Sequence, residues 1–463
     1  MKKQLRSTRG FTLKTTRKGA RRRSKPIPSG EFEARIDDLS DDGFGVARID
    51  GKVCFISDAL PGETVKFRYT HISKQLDQAQ TTEVLEVSPD RAEPPCPHFG
   101  TCGGCTLQHM HPDAQLRHKE QQLVQTLKRV GQVDAENIAP AIAGPHLGYR
   151  RRARLGVRYV AGLGRALVSF RERASSMLAT IDRCEVLDPR VGNRLDVIGR
   201  MIASLSIRRE IPQIEMACAE TVALVFRVLD APSDADLRIL HDFAEQEDFS
   251  VYLQSGGPET IRCIADQTPI LDYSPDGGAA RLQFQPNDFI QINEEVSQKA
   301  VRQALDWLQI RAGEPVLELF SGLGNFSIPL IQAGADLTAV EGEPSLVERA
   351  RQNAVRLGLD ARFHVSNLFE PTAGVSWLDR KYGAVLLDPP RAGAEAILET
   401  IANCEPARVL YVSCHPATLA RDAGILVNQF GYELTRIGVM DMFSHTAHVE
   451  SMALFERKDR ART

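Results

Sequence analysis

Five short apolar runs in the last third of the chain, each ending on a polar side chain, restrict this sequence to one class of fold. They cover residues 315–318, 337–341, 363–367, 384–388 and 409–414, and their polar ends, Glu318, Glu341, Asn367, Asp388 and Cys414, are spaced by 23, 26, 21 and 26 residues. Each interval accommodates one strand and one crossover helix, so the pattern predicts a parallel sheet in an α/β domain. Ligands of open α/β sheets bind outside the carboxyl ends of the strands. The five polar ends therefore fall along one rim where a ligand is expected.

At 463 residues with 43% apolar side chains, the chain is long enough for about three domains with ordinary cores. No stretch approaches the ~18 uninterrupted apolar residues of a membrane span, and the start lacks the apolar segment of a secretory signal. A cytoplasmic location with no membrane partner is expected. The formal net charge of -3 conceals a polarity. Residues 1–30 hold eleven of the 57 Lys and Arg and none of the 60 Asp and Glu, leaving 46 basic against 60 acidic side chains, or -14, for the remainder. A basic, acid-free arm over residues 1–28, containing Arg21-Arg22-Arg23-Ser24-Lys25, reads as a disordered contact for nucleic acid. A solvated tail or an organellar transit peptide is the alternative.

Residues 29–90 alternate short runs rich in Gly, Val and Thr with turn pairs at Asp50-Gly51 and Pro61-Gly62, the pattern of a small β-barrel. Barrels of the oligonucleotide-binding type bind RNA through loops and one strand face, so barrel and arm point to one partner. Pro89, Pro94 and Pro95 mark a linker, and a helix is expected over 112–130. Residues 91–283 read as a central, mixed α+β domain. Its basic tract, from Arg150 through Arg151, Arg152, Arg154 and Arg158 to Arg173, would set several arginines on one strand face that can follow a phosphate backbone. An ordinary charged face is the alternative. The last domain covers 284–463.

Nine cysteines in a chain without a signal sequence argue for metal or catalytic use rather than a disulfide scaffold. Cys96, Cys102 and Cys105 fall within ten residues on a Pro- and Gly-rich loop, which suits a metal. Cys54, Cys184, Cys218, Cys263 and Cys404 compete for a fourth position, and Cys184 is the choice. Thiolate-only ligation fits an iron-sulfur cluster or zinc, and the missing paired C-x2-C knuckles favour the cluster.

The segment Glu318-Leu319-Phe320-Ser321-Gly322-Leu323-Gly324-Asn325 follows a strand and opens a helix, the setting for a ligand held by backbone N–H groups. Ser327 replaces the third glycine of the dinucleotide fingerprint, which argues against a pyrophosphate. S-adenosylmethionine has none. It needs glycine at the turn, an acid for the ribose hydroxyls and a polar contact for the base, which Glu341 and Asn367 at the next two strand ends supply. A cap or turn role competes for each. Asp388-Pro389-Pro390-Arg391 lacks both the aromatic residue of exocyclic-amine methylation and the cysteine of cytosine-C5 methylation, which moves attention to Cys414. A pyrimidine C5 is a poor nucleophile until a thiolate adds to C6. A base must later remove the C5 proton, and Glu450 is the candidate. Burial as a small apolar residue is the alternative for Cys414.

At these residues the chain resembles the RNA uracil-C5 methyltransferases that use S-adenosylmethionine. Asp388-Pro389-Pro390-Arg391 with Gly393, Tyr411-x-Ser413-Cys414 with Thr418, and Asp441-x-Phe443 through His448-Val449-Glu450 fit that family's signatures in order and spacing. The resemblance implies a Rossmann-like methyltransferase domain, Cys414 as nucleophile and Glu450 as base. It implies Gln291, Phe320, Asn325, Glu341, Asn367 and Asp388 as cofactor-site residues, and a [4Fe-4S] cluster on Cys96, Cys102, Cys105 and Cys184. Residues 30–88 resemble the TRAM variety of OB-like barrel at Asp42-Gly43-Phe44-Gly45-Val46-Ala47 and Leu60-Pro61-Gly62-Glu63-Thr64-Val65. Barrel and cluster together are similar to the branch that methylates a uracil in 23S rRNA, as a monomer on free or particle-bound RNA. His415 stands where the family usually has Asn and Ser444 where it usually has Pro. Another rRNA or tRNA site, a radical S-adenosylmethionine enzyme and an inactive RNA-binding assembly protein are the competing readings. The radical enzymes' C-x3-C-x2-C spacing differs from the C-x5-C-x2-C here and leaves Cys414 without a role.

Basic arms bind phosphates with little sequence information. Deleting residues 1–28 is therefore expected to weaken RNA binding and flatten its dependence on salt. An unchanged slope of log affinity against log salt removes the arm from the interface.

Overall fold

Alternation of inward and outward side chains builds the first of two compact units. The computed structural model describes residues 27–370 and 374–458, so the basic arm lies, but for its last two residues, outside the described residues. One unit comprises the chain up to Leu39 with Phe44–Val87; the other holds Ser40–Gly43 and the chain from Ser88 onward. In the first, β1 (Phe32–Arg35), β2 (Asp38–Leu39), β3 (Gly45–Ile49), β4 (Lys52–Ser57), β5 (Thr64–Ile72) and β6 (Leu76–Glu86) form one sheet in the order β1-β5-β6-β4-β3-β2. It curls over Ile36, Ala47, Ile56, Val65 and Phe67. Asp50 and Gly51, with φ of 51° and 79°, make the two-residue turn between the paired Ile49 and Lys52, as hairpin twist requires.

The second unit begins with the cysteine-rich loop, α1 (Pro112–Thr126) and β7 (Asn137–Ile138). A mixed sheet follows, built from β8 (Arg152–Val160), β9 (Arg165–Ser169), β10 (Gln213–Cys218), β11 (Val222–Arg227), β12 (Phe249–Gln254) and β13 (Arg262–Cys263). Its helices α2 (Pro189–Gly192), α3 (Leu195–Ser204) and α4 (Asp234–Glu247) include Ile198, Ile202 and Phe243, which share a core with Leu155 and Ile214. On β8 the period of two turns Ala153, Leu155 and Val157 inward and leaves Arg154 and Arg158 exposed. Arg152 and Arg154 share one acid, Glu215, at 2.8 and 2.9 Å. Arg151 is buried, its guanidinium 4.7 Å from the Tyr273 ring centroid.

A small hairpin, β14 (Leu271–Tyr273) with β15 (Leu282–Phe284), leads into α5 (Glu294–Leu308) and the largest sheet. There β16 (Pro315–Leu319), β17 (Asp336–Glu341), β18 (Arg362–Val365), β19 (Ala384–Leu387) and β20 (Arg408–Ser413) coincide with the five apolar runs and pair in parallel. The intervening helices are α6 (Ser327–Gln332), α7 (Pro344–Arg356), α8 (Glu395–Asn403) and α9 (Pro416–Asn428). Two antiparallel strands, β21 (Tyr432–Met440) and β22 (Glu450–Arg457), complete the order β18-β17-β16-β19-β20-β22-β21-β7. Alternate residues enter different cores: Leu317, Leu387 and Tyr411 pack with α8, α9 and the end of α1, and Val316, Leu386 and Leu410 with α5. Burial on both faces explains why these strands read as continuous apolar runs.

The expectation of an iron-sulfur cluster in the central region is corrected here. Cys96, Cys102, Cys105 and Cys184 line one small cavity, but their arrangement is not that of a metal site. Among the described residues, no group of three or more His, Cys, Asp or Glu side chains is arranged to hold a metal ion. Three of the thiols pack among apolar side chains, as buried free cysteines do. Cys105 belongs to the core beside α5, Cys102 and Cys184 pack against the central core, and burial pushes the Cys105 and Cys184 thiols up to about 12 and about 11. The loop is pinned by backbone, with Gly103 N donating to Arg171 O at 2.8 Å, and by His98 at 2.9 Å from Asp182. No described helix is long and apolar enough to cross a membrane.

Lys119 of α1 donates to Asp441 Oδ1 at 2.7 Å and to the Phe443 carbonyl at 3.1 Å, with both charged side chains at most 3% exposed. Lys119→Met would take the lysine charge from a buried carboxylate and leave it only Ser444 and His146; breaking a buried ion pair costs about 3–5 kcal/mol. Denaturant unfolding is expected to show that loss, and a change below about 1 kcal/mol would remove the pair as an anchor of the loop.

Candidate active site

Beyond the carboxyl ends of β16, β17, β19 and β20 lies a cavity of about 530 Å³, and all eight residues expected to act on cofactor or substrate line it: Gln291, Phe320, Asn325, Glu341, Asn367, Asp388, Cys414 and Glu450. Its floor is the turn after β16. Gly322 and Gly324 have φ of 56° and 101° there, and Phe320 takes a φ of 63°, a conformation that costs a non-glycine residue energy and clusters at functional sites. Gly322 N donates to Glu341 Oε2 at 3.1 Å, while Gly342 N and Glu343 N donate to Oε1 at 2.7 and 3.0 Å. The turn and the acid thus hold each other. Tyr273 donates to Asn325 Oδ1 at 3.1 Å. Arg151 Nε donates to the Gln291 carbonyl at 2.8 Å, so the buried arginine of the basic tract orients the segment carrying Gln291. Asn367 spends its amide on its own loop, accepting from Phe369 N at 3.1 Å and donating to Glu370 at 2.8 Å.

Cys414 and Glu450 reach the cavity from neighbouring strands. Ser413 of β20 is paired with Ser451 of β22, which leaves Cys414 and Glu450 at the next position along each strand. Burial pushes the Cys414 thiol up to about 11, with Glu450 and Asp388 adding to the rise and Arg391 opposing it. Burial likewise lifts Glu450 to about 8, aided by Asp388, and Asp388 to about 7, aided by Glu341. Behind them Glu318, 1% exposed, accepts from Ser327 Oγ at 2.5 Å and is raised by burial to about 8. The loop of Asp388 and Arg391 closes at Gly393, with φ of 80° and no room for a side chain: a Cβ would stand 2.7 Å from Asp422 Oδ2. That oxygen accepts from Ala394 N and Tyr411 Oη, each at 2.7 Å.

A second likeness lies in known sequences and structures. The family described as tRNA (Uracil-5-)-methyltransferase matches residues 111–458, and the TRAM domain matches residues 30–75. The chain belongs to the tRNA (uracil-5-)-methyltransferase family. A protein of Alkalilimnicola ehrlichii named 23S rRNA (uracil(1939)-C(5))-methyltransferase RlmD is 47% identical over 442 residues, which cover 94% of this chain and 99% of the relative. Its namesake in Francisella tularensis subsp. novicida is 45% identical over 448 residues, 95% and 100% of the two chains. The crystal structure of Pyrococcus abyssi tRNA (uracil-54, C5)-methyltransferase, in complex with S-adenosyl-L-homocysteine, shares the fold. Its TM-score is 0.70 at 24% identity, covering 91% of this chain and 99% of that one.

Both departures from the family's usual residues have a place in this fold. His415 caps α9, its Nδ1 accepting from Thr418 N at 3.4 Å. Ser444 donates to Asp441 Oδ2 at 2.5 Å, and its carbonyl accepts from Tyr149 Oη at 2.9 Å. The next residue, His445, has a φ of 64°; its N–H donates to Gln115 at 2.9 Å and its carbonyl accepts from Thr106 N and Leu107 N. Burial and the neighbouring His146 lower its imidazole to about 4, so His445 is neutral where the loop turns before β22. Sequence reasoning missed Tyr273, Phe289, Ser321 and Phe369, which also line the cavity. Ser321 Oγ is buried without a partner, and its place inside the glycine turn was the available signal.

Gly393→Ala would meet both a left-handed φ and the Asp422 oxygen. A stability loss of about 1–3 kcal/mol, as for strained backbone elsewhere, is expected in thermal unfolding, together with reduced methylation as the Arg391 loop shifts. Unchanged values for both would show that the loop relaxes freely.

Proposed function

We propose that this chain methylates uracil at C5 in 23S rRNA, using S-adenosylmethionine and a transient bond between Cys414 and uracil C6. The observation that carries the reading is the placement of Cys414 and Glu450 at adjacent positions of β20 and β22 on the wall of one cavity. The relatives named for uracil 1939 of 23S rRNA are 45–47% identical over nearly their full length, which supports the same target class.

The cavity suits the cofactor on four counts. Its 530 Å³ lies within the range of small-molecule sites. The glycine turn presents backbone close to a ligand, the unpartnered Ser321 hydroxyl offers a hydrogen bond, and the acids of the wall favour a cation. Gln291, Phe320, Asn325, Glu341, Asn367 and Asp388 would hold it. When bound there, the cofactor supplies a methyl group on a positively charged sulfur.

Cys414 adds as thiolate to C6, pushing electron density to C5, which then accepts the methyl group. Glu450 next takes the C5 proton. The electrons of that C–H bond restore the C5–C6 double bond and expel the Cys414 thiolate, so the thiolate is regenerated and Glu450 carries the proton. The barrel, the basic arm and the exposed Arg154 and Arg158 would meet RNA phosphates and set position rather than chemistry. We place the reaction in the cytoplasm, carried out by a monomer.

Cys414→Ala is expected to retain RNA binding and lose both methylation and adduct formation. Glu450→Gln keeps the thiol but lacks the base, so turnover should fall by about 10²–10⁴ and a methylated protein–RNA adduct should accumulate through denaturing electrophoresis. RNA carrying 5-fluorouracil should trap the unaltered enzyme, since fluorine cannot leave as a cation. Full activity in Cys414→Ala would falsify the mechanism.

A further inference from the structure

The charges around the cavity are unbalanced. Glu341, Asp388 and Glu450 line it, Glu318 lies behind them, and Arg391 is the one cationic side chain in the lining among the described residues. These acids come from separate elements: Glu318 from β16, Glu341 from β17, Asp388 from the loop after β19, and Glu450 from β22 beside the Cys414 thiol. Each feels another: Asp388 and Glu341 act on Glu318, Glu341 on Asp388, and Asp388 on Glu450. The opposing charges are Arg391, exposed, and Lys119, which reaches Glu450 from α1 but is itself paired with Asp441.

A base must be ionised before it can take a proton, and the enclosure of Glu318, Asp388 and Glu450 favours their neutral forms. Burial, aided by neighbouring acids, raises Glu318 and Glu450 to about 8 and Asp388 to about 7, so at neutral pH the two glutamates are mostly uncharged and Asp388 is about half so. We propose that the positive charge of the bound cofactor ionises this acid cluster, so that Glu450 becomes a base only in the loaded site. The inference rests on the S-adenosylmethionine reading above. An opposite charge within ~4–6 Å of a carboxyl lowers its pKa by about 1–3 units, and a lowering of about 2 moves Glu450 from mostly neutral to mostly ionised at neutral pH.

Charge is then conserved through the cycle. Glu450 enters as carboxylate beside a sulfonium, and it leaves as neutral acid beside a thioether, having taken the C5 proton. With the cation gone, Glu450 has no reason to release that proton. Replacing the spent neutral cofactor by a fresh cationic one expels it and resets the base. Exchange of cofactor, rather than a dedicated proton relay, clears the product proton.

Titration calorimetry in two buffers of different ionisation enthalpy tests this directly, with S-adenosylmethionine and S-adenosylhomocysteine as probes and the full chain without RNA. The methylated cofactor is expected to release about half a proton or more at pH near 7, and homocysteine little or none. The ratio of the homocysteine to the methionine dissociation constant should then rise about fivefold between roughly pH 5.5 and 7, the linkage for half a proton over that interval. Both ends lie below the ~7.7–8.0 of an α-amino group. Glu450→Gln should lose a substantial part of the release while still binding both probes. Equal proton exchange for the two probes overturns the inference and leaves the cofactor reading standing, as does undiminished release by Glu450→Gln. Failure of both probes to bind overturns the cofactor reading and the inference together.

Discussion

Burial of one sheet on both faces is the constraint from which the site follows. Strands β16, β19 and β20 have apolar side chains on each side, with cores beneath the helices of both layers. A polar group in the middle of such a strand has no water to turn to, so polar side chains are confined to the rim, where loops and backbone N–H groups can meet them. The acids of the rim, Glu341, Asp388 and Glu450, therefore gather at the cavity. It also inherits the strands' low-dielectric surroundings, which make each acid sensitive to the charge of whatever enters. Glu318 is the instructive case: one residue short of the strand end, it is fully enclosed and has Ser327 as its hydrogen-bond partner.

Holding the rim in place takes parts of the chain far from it in sequence. The segment from Asp441 to His448, which delivers β22 and Glu450, is fixed by Lys119 and Gln115 of α1, by Tyr149 and by the cysteine-rich loop through Thr106 and Leu107. Asp441 keeps its charge there: burial opposes ionisation, but His146, Lys119 and Ser444 hold its carboxyl well below the ordinary range. The cysteine-rich loop is thus a brace for the strand that carries Glu450, a role its thiols do not advertise.

The sheet and its rim were legible because periodicity and polar ends are written in single short runs, and β16 to β20 coincide with them. Asp50-Gly51 was legible because few other pairs tolerate two positive φ values. The thiol loop misled because spacing reports that three cysteines are close in sequence, and not how the fold arranges their side chains, which among the described residues form no group able to hold a metal ion. Arg151 and Lys119 could not be singled out, since a burial pattern assigns arginine and lysine to the surface until their partners, Tyr273 and Asp441, are known from the fold. Two-residue β7 carries no period at all. Asn367 reads equally well as ligand or turn residue, and in the fold its amide serves the turn.

The strand order also sets a timetable for the emerging chain. Chains fold as they are made, amino-terminal parts first, and β22 enters the sheet between β20 and β21, which precede it. A nascent chain that has already displayed Cys414 must leave that edge of β20 open until 36 further residues have been joined and Glu450 arrives. β7 waits longer still, since Asn137 pairs with Arg436 about three hundred residues later. Cys414 and Glu450 are thus never together in any shorter product of translation, and an interrupted chain exposes the proposed nucleophile without the proposed base.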